Sequence, residues 1–200
     1  LEDARKAYEM ALDLFRNVDD RLGEANTRQG LGLLALGGQD AAGAFRQFVA
    51  TLALHGQIDS KLGQQAALGY AVRAAMALGE TDRALLLAGA SLALGREIDD
   101  RFGQSINLQA LLGLFQQGQD IVGFVACVAL YRVVLGQLGD AEQQAAMDEL
   151  WQQLEADLPA ELMTAIAADP WGALQHALAQ AHLRFGDGDP LVLDGTPPDA

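Results

Sequence analysis

The sequence predicts an all-α stack of antiparallel helix pairs, and three observations predict it. One turn segment recurs at a spacing of 40 residues, a second marker returns near the middle of each interval, and the apolar residues between them fall at helical spacing. The composition agrees, because half of the 200 residues are apolar and only 6% are aromatic, a balance that suits close helix packing better than sheets. A chain of this length buries a core without disulfides or a metal, so one domain is expected over residues 1–185.

The elements follow in order. Residues 1–18 form a partial repeat, a single helix in which Ala4, Tyr8 and Ala11 have the spacing of the second helix of a pair. Three repeats follow over about 19–58, 59–98 and 99–138: Asp19-Asp20-Arg21-Leu22-Gly23-Glu24 becomes Asp59-Ser60-Lys61-Leu62-Gly63-Gln64 and then Asp99-Asp100-Arg101-Phe102-Gly103-Gln104. The middle marker reads Gly37-Gly38-Gln39-Asp40, then Leu78-Gly79-Glu80-Thr81-Asp82, then Gln117-Gly118-Gln119-Asp120. Each unit therefore holds two helices, as Leu31, Leu34 and Ala35 before the turn and Ala44, Phe45, Phe48 and Leu52 after it indicate. Glycine suits the end of the first helix, and the following Asp or Thr accepts from free N–H groups of the next.

A degenerate repeat and cap occupy 139–185. Leu138-Gly139-Asp140 opens a helix from Ala141 to Asp157, which Pro159 ends. Pro159-Ala160-Glu161 starts a short helix to about Ala168, and Asp169-Pro170, an N-cap followed by proline at the first helical position, starts the last one from Trp171 to Phe185. Leu174, Ala177, Leu178, Ala181 and Phe185 form its apolar stripe. That helix either caps the stack, plugs the groove or pairs with a second copy as a homodimer contact, with Trp171, Leu174, Leu178 and Phe185 as contact residues in each case. Residues 186–200, rich in Gly, Pro and Asp, are expected to form a flexible acidic tail.

Ala44, Ala84 and Phe124 share one offset, Phe48, Ala88 and Val128 lie four further on, and Thr51, Ser91 and Tyr131 three beyond those. With Asp20-Arg21-Leu22-Gly23-Glu24-Ala25-Asn26, Leu31-Gly32 and Ala44-x-x-x-Phe48, the chain resembles the tetratricopeptide family in its longer variant of about 40 residues, over roughly residues 3–157. The second and third units depart from the pattern at Ala71-Val72 and Leu111-Leu112, where the family often has Leu-Gly. The resemblance implies a right-handed superhelix whose first helices line a concave groove. Transferred by offset, the partner-binding residues are Asn26, Gln29 and Leu33 in the first unit, Tyr70, Arg73 and Met76 in the second, and Ile106, Gln109 and Gln116 in the third.

Function is expected to be protein binding: a peptide or helix of a partner held by backbone hydrogen bonds and one or two apolar anchors. The alternatives are a self-associating structural module and a regulatory or sensor region of a larger multidomain protein. Charge disfavours nucleic acid and anionic membranes, since residues 1–132 carry 12 basic and 15 acidic groups and residues 133–200 carry only Arg184 against 12 acidic. The same acidity favours a basic ligand. No catalytic motif is present: there is no phosphate-binding glycine loop, no Gly-x-Ser-x-Gly and no His-Glu-x-x-His, so the chain reads as a non-enzyme without a cofactor. His176 and His182, six apart, do not share a helix face, so no metal is expected. Cys127, the single cysteine, lies in an apolar run and reads as a buried thiol. Without a signal peptide or an uninterrupted membrane span, the expected location is cytoplasmic. The first residue is not Met, which leaves room for a longer chain, and the high Ala, Gly and Arg with only two Lys suggests a bacterial source.

Overall fold

The structure, a computed structural model, describes residues 2–193. Among these residues the chain is all-α, with ten helices and no strand: α1 (Glu2–Asn17), α2 (Arg21–Gly37), α3 (Ala41–Gln57), α4 (Lys61–Ala77), α5 (Thr81–Glu97), α6 (Arg101–Gln117), α7 (Ile121–Leu138), α8 (Ala141–Asp157), α9 (Ala160–Ala168) and α10 (Pro170–Phe185). Helices α9 and α10 begin where the proline signals put them.

The repeat is tighter than the sequence suggests. The 40-residue unit divides into two halves that share one backbone joint every 20 residues. At each of the seven joints from α1 to α8 one residue takes the left-handed conformation: Asp19, Gln39, Asp59, Gly79, Asp99, Gln119 and Gly139, with φ between 52° and 75°. The next residue donates its backbone N–H to a carbonyl five residues back, as from Asp20 to Phe15, Asp40 to Ala35 and Asp120 to Phe115, over 2.9–3.2 Å. This is the Schellman closure of a helix C-terminus. The same residue then starts the following helix. The Asp20, Asp40, Asp100 and Asp120 carboxylates accept from the N–H groups of Gly23, Gly43, Gly103 and Gly123, and the Ser60 hydroxyl accepts from Gly63. One residue thus satisfies an orphan carbonyl behind it and an orphan amide ahead of it.

The glycine at the third position of the next helix has a packing reason. At three joints the acceptor residue of the closure lays its side chain across that position, Phe15 on Gly23, His55 on Gly63 and Phe115 on Gly123, whereas at Gly43 a Cβ would meet the Asp40 cap carboxylate. Behind Ala75 the third position carries Arg83 in place of glycine. The offset shared by Thr51, Ser91 and Tyr131 is a hydroxyl position. Thr51 donates to the Ala25 carbonyl at 3.4 Å, Ser91 accepts from Asn107 at 2.9 Å and Tyr131 donates to Gln143 at 2.9 Å. Phe124 remains half-buried at an offset where Ala44 and Ala84 are fully buried.

Within the stretch 1–185, expected as one repeat domain, the chain gathers into two compact units. One runs to Leu87 and regains the chain from Asp187; the other spans Ala88–Gly186. The helices of a stack touch mainly their sequence neighbours, so contacts gather locally along the chain. In the first unit Ala25, Ala44, Phe45, Phe48, Ala71 and Val72 form the core. Gly32 lets α2 close on the Phe48 ring, where a Cβ would lie 2.5 Å from Cε1. In the second unit α7 is central, touching α6, α8, α9 and α10. It is the one described helix long and apolar enough to cross a bilayer. The burial of Val125, Ala126, Cys127 and Val128 among those neighbours accounts for that apolarity.

The expected free tail is in part held. Leu193 is buried, and the Pro190 and Val192 carbonyls accept hydrogen bonds from Arg83. A buried guanidinium with donors to satisfy overrides the composition of the segment. Residues 194–200 of that tail lie outside the described residues.

Candidate partner-binding surface

Helical periodicity sets one stripe of each first-type helix away from its buried face. On α2, Asn26 and Leu33 are exposed and Gln29 is half-buried. On α4, Arg73 and Met76 are exposed, and Arg73 has no ion pair among the described residues. Tyr70 is half-buried because its ring stacks on Phe48 at 5.3 Å between centroids, so its face serves the core. On α6 of the second unit, Ile106, Gln109 and Gln116 are exposed.

Three residues that sequence reasoning assigned only to the recurring turn lie on the exposed stripes of their own helices. Leu22, Leu62 and Phe102 are 51%, 64% and 67% exposed, one turn before Asn26, Ala66 and Ile106 on their helices. The signal was present: a large apolar residue returns at each 40-residue interval inside an otherwise polar joint. Single exposed apolar side chains are ordinary, but three at one register call for a function.

The last helix is engaged within the second unit. Leu174 is fully buried, Leu178 rests on Gly89 of α5, and Phe185 is half-buried. Trp171 is covered by the Arg96 guanidinium, 3.8 Å from the ring centroid. These contacts are those of a cap on α5 and α7.

Buried polar groups lie away from that stripe. Burial opposes ionisation of Glu24, but hydrogen bonds from Arg16 at 3.1 Å and Arg28 at 3.0 Å outweigh it and hold the carboxyl below its ordinary range. Burial pushes the His55 imidazole below its ordinary pKa, and its Nδ1 has no hydrogen-bond partner. Burial, with the nearby Asp120 charge, pushes the Cys127 thiol up, which keeps it protonated. Among the described residues no three His, Cys, Asp or Glu side chains come together so as to hold a metal ion.

Sequence reasoning missed one more polar site, in the first unit. Arg83, 4% exposed, stands over the Phe45 ring at 5.3 Å, pairs with Glu80, and donates from Nη1 to the Pro190 carbonyl at 2.9 Å and the Val192 carbonyl at 2.6 Å. No local pattern marks it, because its partners lie more than 100 residues away. No protein-family model matches the sequence, and no curated protein matches it.

Proposed function

We propose that this chain is a protein-binding module of tetratricopeptide type that holds an extended or helical segment of a partner against its first-type helices. The observation that carries this reading is the register of Leu22, Leu62 and Phe102, exposed apolar residues on helices whose adjacent turns present amides and a cation. Apolar anchors flanked by Asn26, Gln29, Arg73 and Gln109 suit a peptide that contributes its own backbone groups. The acidic C-terminal third favours a partner segment with basic residues.

The test is selection of displayed random peptides on the immobilised chain. Enriched peptides are expected to bind saturably, and Leu62→Asp and Arg73→Glu are expected to weaken that binding at least tenfold without changing the helical circular dichroism. Peptides that bind both variants as well as the parent would rule out this surface.

A second reading, self-association, is supported by α1. Its Met10 and Leu14 are exposed, although Leu54, the residue 40 positions after Leu14, is buried in α3. Light scattering over a range of concentrations tests it: a mass that does not grow with concentration removes this reading.

A further inference from the structure

Arg83 supports an inference separate from the helix stripe. A buried guanidinium gives up its hydration, and partners must satisfy its donors in place of water. Glu80 and the Phe45 face meet part of that need, and two carbonyls of one short segment, Pro190 and Val192, meet a further part. The segment turns at Asp189–Val192, where the Val192 N–H donates to the Asp189 carbonyl at 3.0 Å and the Leu191 N–H to Asp189 Oδ1 at 2.9 Å, and this turn brings the Pro190 and Val192 carbonyls to one nitrogen. These two contacts read backbone, which a segment making the same turn presents. Side-chain selection falls to Leu193, 8% exposed. The segment arrives on Gly186-Asp187-Gly188-Asp189, a tether of turn-forming residues, and Gly186 itself has φ 86°.

We infer that the Arg83 site is a receptor for a turn-forming Asp-Pro-x-Val-Leu-like segment of a partner protein, and that the chain's own Asp189–Leu193 occupies it as a resident competitor. A tethered segment acts at an effective concentration of about millimolar, so a free peptide of the same affinity succeeds only when the tethered one is weakened. Exchange of the resident for the partner segment leaves Arg83 satisfied in both states.

The experiment uses the full-length chain and a fluorescein-labelled peptide with the sequence of residues 186–196, read by anisotropy. The Leu193→Asp variant, whose own segment would have to bury a carboxylate, is expected to bind the peptide at least tenfold more tightly than the parent. Arg83→Gln introduced into that variant is expected to abolish binding. A peptide that itself carries Leu193→Asp is expected not to bind, and this arm decides alone if Arg83→Gln loses its helical signal. Equal affinity of parent and Leu193→Asp chains, or equal binding of the two peptides, overturns the inference.

Discussion

Alanine at Gly123 and alanine at Gly113 are chemically the same change in two helical settings, and the structure assigns them opposite signs. At Gly113, in α6, a Cβ meets nothing within 4 Å. Only the helix preference for alanine acts there, and stability is expected to rise by about 0.5–1 kcal/mol. At Gly123 a Cβ would lie 2.6 Å from Cδ1 and Cε1 of Phe115, about 0.8 Å inside the 3.4 Å at which ordinary contact begins. Phe115 is buried and has no space to retreat into. Overpacking of this kind costs about 1–3 kcal/mol, so after the helix gain is subtracted a net loss of about 1 kcal/mol is expected. Urea unfolding followed by far-UV circular dichroism, with unchanged m-values, measures both changes. The pair is then closed as a cycle: in a Phe115→Ala background the clash is gone and Gly123→Ala is expected to become favourable, a coupling of about 1–3 kcal/mol. If Gly123→Ala stabilises the parent as Gly113→Ala does, or its effect is the same with and without the Phe115 ring, the packing rule proposed for the joints is wrong.

Three further outcomes are expected. The fold favours neutral His55, whose pKa lies below 6.5, so its contribution is complete above that pH and is lost as pH falls below it. Urea midpoints at pH 7.5 and 5.5 should show this loss, no steeper than about 1.4 kcal/mol per pH unit, and His55→Leu should remove it. Glu24, whose pKa is lowered, contributes above its unfolded value of 4.5 and loses that contribution as pH falls through the folded value. Glu24→Gln should therefore cost about 1–2 kcal/mol at pH 7, discounted for the exposed Arg16, and less in urea titrations at pH 3. Gln39→Gly and Gln119→Gly relieve left-handed backbone, and each should raise stability by about 0.5–1 kcal/mol, seen calorimetrically as a melting temperature about 2–4 °C higher.

The helix positions were legible because caps and apolar spacing are local: Asp20, Asp40, Asp100 and Asp120 each stand one residue before the helix they start. The 20-residue identity of the joints was hidden by side chains. Asp19 and Gln39 share a conformation but little chemistry, so the chain reads as two kinds of turn where the backbone has one. The exposed stripe of Asn26, Leu33, Arg73 and Ile106 follows from helical period alone. Tyr70 did not, since its stacking on Phe48 depends on how α3 meets α4. The Arg83 site was not legible at all, because its chemistry exists only once the two ends of a long chain segment meet.

The doubled role of the residue at each joint bears on how such a chain changes in length. Asp40 or Asp120 belongs to two helices at once, so the smallest piece that can be lost or duplicated with both ends still capped is the 20-residue interval from one such residue to the next. A single inserted residue inside a helix turns every later side chain by about 100° until the next cap restarts the phase. Damage of that sort is confined to one helix, whereas whole intervals can be copied without disturbing either neighbour's capping. The joint therefore acts as a punctuation mark in the history of the sequence as well as a turn in its structure.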